Sequence, residues 1–404
     1  MLIVEWVTLV LAGAVMAVWF YRLRVIYSPK ARGPILGRDS IPDAPPAGLV
    51  SIVVPAKDEE KNIRAALDTL RAQDYPDLPT GQPGFEILVV DDRSRDRTAD
   101  IVRQVAAEDP RVRLIQVRDL EPGWFGKPHA MHLGAAQARG QWLLFVDADC
   151  RQAPHSVRAA VNFLVANGGD MFSLWPVLEM HGFWENAVQP VAGSVLAAWF
   201  RPTWVNNPKR RTAFANGQYI LIRRATYEAV GGHAAVRNEI VEDIALARLV
   251  KRAGYRLLNA IGADLFTTRM YESLAGMWKG WTRIYYGAFK SASWLLAVMA
   301  LTILFTLAPF AALLASAAAM AAGSRHGFTP ALFNISLVTT VLLFLTMRRY
   351  FLTGRANPWY LFCYPLAVVL VLGFQGGAML RALGLRGITW RGTTYTGGQV
   401  VGGK

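Results

Sequence analysis

Cysteine is nearly missing from this chain of 404 residues: Cys150 and Cys363 are the two present, far apart and in unlike contexts. That excludes a disulfide framework and a cysteine-based metal cluster. Charge is scarce too, at 18% of residues against 53% hydrophobic, which is oily for a soluble enzyme. Acidic residues are outnumbered 29 to 43 by Lys and Arg, leaving a formal net charge of +14. Nucleic acid as a partner does not follow from this. Zinc-finger and helix-turn-helix spacings are absent, and the basic residues do not interleave with aromatics in one compact module. A basic surface facing anionic lipid, with some Arg and Lys reaching a phosphorylated substrate, fits better. No internal repeat is present.

The apolar residues crowd the two ends of the chain. Residues 3–20 are nearly continuous, with one early glutamate, and YRLR follows. A signal peptide would carry its positive charges before the run. A retained helix over 1–24, or an interfacial anchor, is expected instead. The positive-inside rule places residue 21 onward in the cytoplasm. A Pro- and Gly-rich linker covers 25–48. Three more apolar stretches, 293–323, 331–347 and 358–380, make 291–380 a set of C-terminal membrane helices, since only helices satisfy the backbone in lipid. Of these, 331–347 is short for a span. Three spans after a cytoplasmic domain would put the basic tail, 381–404, outside. A re-entrant pair hinged near Pro309, or one interfacial segment, would relieve that conflict.

Between these ends, 49–270 reads as a soluble α/β domain with a mainly parallel sheet. Strands are expected at 49–56, 85–92, 112–119 and 141–149, alternating with helices at 59–73, 98–109 and 128–140. Residues 271–290, aromatic and basic, read as an interfacial amphipathic helix. Trp278 and Trp281 are either interface anchors or the roof of a lipid-facing site.

Ligands of such sheets bind at the carboxyl ends of the strands. Polar clusters stand there after the first, second and fourth strands. In the last, QWLLFVDADC, a buried strand runs into Asp147 and Asp149. Two carboxylates so close need a positive neighbour or water. At i and i+2 of an extended strand both reach one divalent cation of the Mg²⁺ or Mn²⁺ class. In DDRSRDRT, Asp92 or Ser94 would cap the helix beginning near Thr98, and a nucleoside would explain Asp91. G-x-G-x-x-G loops follow neither of the first two strands, so a dinucleotide is excluded. Lys127, between glycines and a helix start, is either a phosphate ligand or a solvated lysine. His129 and His132 lack a third ligand and read as packing or surface residues. Glu242 and Asp243 open a helix, where they suit its dipole or take a proton from an acceptor hydroxyl.

Taken together, VPAKDEE, VVDDRSRDRT, FVDADC and VED (241–243) resemble the membrane-associated family-2 glycosyltransferases with a GT-A fold, over roughly residues 49–290. The resemblance implies inverting transfer from a nucleotide-diphosphate sugar, usually UDP-linked. It places Pro55 in the opening strand motif, Glu59, Asp91 and Asp92 around the nucleoside, and Asp147 near the diphosphate, whose departing charge Lys127, read from its own setting, would help offset. Asp147 and Asp149 would hold Mg²⁺ or Mn²⁺, and Asp243 would be the base with Glu242 supporting it. Processive members carry Gln or Arg, two residues, then Arg-Trp; here Met277 and Gly280 replace the polar residues. WKGW, GWFGK and ITWRGTTY are closer to hopanoid-associated and carotenoid-type lipid glycosyltransferases. That implies a lipid or polyisoprenoid acceptor and a multi-pass enzyme of a bacterial-type inner membrane, its catalytic domain facing the cytoplasm. A polysaccharide synthase of the same superfamily and a catalytically silent scaffold are the alternatives.

Overall fold

The computed structural model describes residues 2–28, 32–38, 47–324 and 327–385, and the backbone of three short strands beyond them. Parts of the expected linker and tail lie outside the described residues. The chain divides into two compact units.

One unit is built on an eight-stranded sheet. Its strands are β1 (Ile35–Leu36), β2 (Val50–Ala56), β3 (Phe85–Asp92), β4 (Val112–Val117), β5 (Trp142–Val146), β7 (Met171–Trp175), β9 (Tyr219–Arg223) and β10 (Leu257–Gly262). β6 (Cys150–Gln152), β8 (Val177–Leu178) and β11 (Phe266–Thr268) form a small three-stranded sheet of their own. The large sheet runs β1-β10-β7-β9-β5-β2-β3-β4 and is parallel except at β9, which is antiparallel to both β5 and β7. Every residue of β3 is buried, as a strand covered on both faces requires. Val50 of β2 lies between Phe85 and Trp142, so β2, β3 and β5 end at one edge.

Near the strand starts Glu86, buried, accepts hydrogen bonds from Ser51 Oγ (2.7 Å), the Arg139 backbone (2.7 Å) and Arg139 Nε (2.9 Å). Burial disfavours its charge, but these donors hold the carboxyl below its usual range.

The fourth strand is shorter than expected. β5 stops at Val146, and Asp147–Asp149 form a turn in which the Cys150 N–H donates to the Asp147 carbonyl at 3.3 Å. The apolar, fully buried run ends there, and half-exposed carboxylates take over.

The other unit is helical, and it takes Met180–Trp199 out of the expected 49–270 domain. Among the described residues, four of its helices are long and apolar enough to cross a membrane: Leu2–Tyr27, Ala292–Ala321, Phe328–Thr353 and Pro358–Ala382. The stretch expected to be short is thus a helix of 26 residues. Nor do residues 293–323 form a re-entrant pair. The helix continues past Pro309 through a π-helical turn, Ile303–Leu307, which accommodates the missing proline N–H.

Contacts fix the helix directions. Arg349 stacks on Tyr27, so the carboxyl ends of Leu2–Tyr27 and Phe328–Thr353 lie together. Phe310 meets both Phe344 and Tyr364, and Thr302 meets Gln375. Helix Ala292–Ala321 therefore runs antiparallel to Tyr364–Ala382, and Tyr364 begins partway along its neighbours. The helix Leu274–Phe289, expected at an interface, buries Trp281, while Trp278 packs edge-on against Phe374.

Candidate active site

Helix Gly126–Gln137 begins one residue before Lys127. A Cβ at Gly126 would collide with Asp92 Oδ2, so glycine lets the helix start here without moving the Asp92 carboxylate. Lys127 Nζ then lies 2.7 Å from Asp147 Oδ1 and 3.1 Å from Glu242 Oε1. Lys127 is the positive group that two carboxylates at a strand end demanded. Burial works against its charge, but Asp147 and Glu242 outweigh that and hold the ammonium well above the usual lysine range.

Asp243 stands on the same helix as Glu242, Glu242–Arg252. Its Oδ2 accepts from the Gly217 N–H and its Oδ1 from the Ile244 N–H, each at 2.7 Å. Burial and the adjacent Glu242 carboxylate push it up to about 7, against the pull of Lys127. A carboxyl that titrates near neutrality can take a proton at working pH.

Asp147 and Asp149 are half-buried, close to the Lys127 ammonium. Among the described residues no group of three or more His, Cys, Asp or Glu could hold a metal. The D-x-D pair offers two carboxylates, hard oxygen donors of the kind Mg²⁺ and Mn²⁺ take together with substrate phosphates and water. The donor set therefore fits such an ion bound jointly with a diphosphate. Cys150, next to Asp149, is buried and its thiol is pushed far up by burial and the nearby carboxylates, so it is inert as a ligand.

The loops after β2 and β3 bond to each other. Asp58 N–H donates to Ser94 Oγ (3.0 Å), Arg95 N–H to Asp58 Oδ1 (2.8 Å), and Glu59 N–H to Thr98 Oγ1 (2.8 Å). Asp91, Asp92 and Glu59 are all buried here, with Pro55 level with Val90. Asp92 holds Arg93 through Nε at 2.8 Å and Nη2 at 3.1 Å, and Arg93 adopts a left-handed φ of 57°. The expected cap does not form from Asp92 or Ser94. Asp96 receives the Thr98 N–H instead, at 3.0 Å.

His233 carries no signal in the sequence. It is buried edge-on to Phe145, with Nδ1 2.9 Å from the Tyr227 hydroxyl. Burial, with the Lys127 charge adding to it, pushes His233 down to about 3, so it stays neutral behind the site. The role of Gly217 is equally hidden, since only the fold brings it to Asp243. His129 is buried against Trp124, in keeping with a packing role.

A family model described as "Glycosyl transferase family 2" matches residues 51–241, which include both mutually bonded loops, Lys127 and the D-x-D turn. Residues 51–241 are a glycosyltransferase family 2 domain. A 4,4'-diaponeurosporenoate glycosyltransferase of Staphylococcus aureus (strain MRSA252) is 27% identical over 243 residues, covering 58% of this chain and 60% of that protein. The Staphylococcus haemolyticus protein of the same name is 24% identical over 237 residues, with the same coverage. The chain thus matches about 60% of the length of these relatives. A solved mannosyltransferase from Pyrobaculum calidifontis, in complex with GDP-Man and Mn²⁺, superposes with a TM-score of 0.52 at 21% identity, over 91% of this chain and 99% of that one. That likeness supports the GT-A-like fold of the family-2 domain.

Proposed function

We propose that this chain is an inverting glycosyltransferase that moves one sugar from a nucleotide-diphosphate sugar, UDP-linked in the first instance, to a hydroxyl of a membrane lipid. One observation carries the reading: Asp243, poised near neutrality by its burial and by Glu242, stands in one cluster with Lys127 and the D-x-D carboxylate Asp147. The names of the staphylococcal relatives support a lipophilic acceptor, and the Pyrobaculum complex supports a donor of this class with a divalent ion.

The acceptor oxygen bonds to the anomeric carbon as the carbon–oxygen bond to the diphosphate breaks. The hydroxyl proton passes to Asp243, and the bonding pair leaves with the nucleoside diphosphate. Lys127 faces the departing charge, and Glu242 holds that ammonium in place. Asp91, Asp92 and Glu59 line the nucleoside end. Asp147 and Asp149 would hold Mg²⁺ or Mn²⁺, which neutralises diphosphate charge when bound.

The helical unit supports a membrane location and a topology. The Tyr27, Ala292, Thr353 and Ala382 ends share one side, where Arg22, Arg24, Arg348, Arg349, Arg355 and Arg381 lie. By the positive-inside rule that side is cytoplasmic. Three helices then cross, and Tyr364–Ala382 re-enters from the cytoplasm.

The test is a panel of labelled UDP- and GDP-sugars given to detergent-purified protein with Mg²⁺ or Mn²⁺ and total membrane lipid. Label in a single organic-soluble species supports the reading. Label in insoluble polymer would refute single-sugar transfer.

A further inference from the structure

One stretch of the α/β unit is basic without a counterweight. Between Glu185 and Glu228 the chain has no acidic residue, while Arg201, Lys209, Arg210 and Arg211 fall within eleven positions. Residues 207–211 are exposed, and among the described residues no carboxylate pairs with Lys209, Arg210 or Arg211. The proposed transfer uses none of them.

The backbone beneath these charges is held firmly. Lys251 donates from Nζ to the Val205 carbonyl and, at 2.7 Å, to that of Thr212, so one half-buried ammonium closes 205–212 into a loop. Asn206 donates from Nδ2 to the Asn259 carbonyl at 2.9 Å and accepts the Asn259 N–H at 2.6 Å, which pins the loop to β10. At the tip Asn207 turns the chain. Its Oδ1 accepts the Lys209 N–H at 2.9 Å, and its carbonyl accepts the Arg210 N–H at 3.1 Å. Pro208 fixes φ inside that turn. Three adjacent cations therefore stand on a preorganised backbone, and little ordering entropy opposes a ligand there.

Trp204 adds an amphipathic ring. The guanidinium carbons of Arg201 and Arg210 lie over it at 4.8 and 4.7 Å. Stacking holds both cations without neutralising them and leaves their in-plane N–H groups for phosphate oxygens. A half-exposed tryptophan beside Lys and Arg is a composition that settles at lipid headgroups.

Position in the chain selects the anionic partner. Phe200 follows directly on helix Phe183–Trp199 of the helical unit. Within that unit Trp199 meets Trp294 edge-on, 5.1 Å away, at the Ala292 end of a membrane-length helix, the end read above as cytoplasmic. We infer that residues 201–211 form a docking surface for the anionic headgroups of the cytoplasmic leaflet, with Lys209, Arg210 and Arg211 as its contacts. This rests on the membrane location proposed above and is independent of sugar transfer.

The test places the full chain in nanodiscs of phosphatidylcholine, with or without phosphatidylglycerol, and reads hydrogen–deuterium exchange at the amides of 205–212. Exchange should slow about fivefold or more in the anionic discs, the worth of one seated cation, and high salt should erase the difference. Lys209→Gln/Arg210→Gln/Arg211→Gln, all at exposed positions, should exchange alike in both discs. A slowing that survives these substitutions overturns the surface. Equal exchange of the wild-type loop in the two discs overturns it too, whether or not the variant folds. So does slowing by inorganic phosphate in neutral discs, which would make the loop a site for the free anion. The apolar helices report location separately. If they exchange freely in both discs, the membrane location falls and this surface with it; protected helices with an indifferent loop overturn the surface alone.

Discussion

The Lys127 ammonium lies 2.7 Å from Asp147 Oδ1, joining the helix that follows β4 to the acidic end of β5. The same ammonium reaches Glu242, and so ties the D-x-D turn to the helix that carries Asp243. Three segments far apart in sequence thus share one charge balance.

The first consequence concerns pH. Asp243 is pushed up to about 7 and must be ionised to accept a proton. Transfer should rise as pH passes through about 7 and level off above it, as read from kcat/KM between pH 5 and 9. The stability effect runs the other way. A carboxyl whose folded value is raised stabilises fully below its unfolded value, near 3.8, and loses that contribution as pH climbs to about 7. Asp243→Asn should flatten the pH dependence of the unfolding midpoint in that window.

Removing Lys127 should move this profile. Its charge pulls Asp243 down, so Lys127→Met should shift the kcat/KM midpoint upward. Donor KM should also rise, by roughly 10- to 100-fold for one charge-assisted contact to phosphate. An unmoved midpoint would mean the two groups do not communicate.

Metal removal should silence the enzyme. Dialysis against EDTA is expected to abolish transfer, with Mg²⁺ or Mn²⁺ restoring it. Asp149→Asn should raise the metal concentration needed for half-maximal rate. Full activity in EDTA would remove the D-x-D pair from metal binding.

Gly217 supplies a steric test. An added Cβ would come within 2.9 Å of Asp243 Oδ2 and 3.3 Å of Lys127 Nζ. Gly217→Ala should displace the base and lower kcat by about 10²-fold, in line with the sensitivity of such geometry to a shift of an ångström. Circular dichroism should be unchanged.

Much of this is legible in the residues. FEILVVDD forms a strand with the expected bounds, Phe85–Asp92, because a wholly buried parallel strand is a continuous apolar run. The carboxylates at the strand ends are visible for the same reason. What pattern does not reveal is long-range. The backbone N–H of Gly217 meets a carboxylate 26 residues later, and nothing local signals it. The three-residue overshoot of the fourth strand comes from reading DAD as extended, when its carboxylates sit in a turn after the buried run. Helix Phe183–Trp199, apolar enough for a globular core, groups with the helical unit. Composition does not distinguish those two environments.

Transfer to lipid with Asp243 as the base is tested by following labelled sugar into the organic phase for wild type and Asp243→Asn side by side, at saturating donor and pH 8. One labelled lipid is expected with wild type, and a rate lower by about 10²- to 10⁴-fold in the variant, while donor binding persists. Equal rates in the two proteins would contradict it.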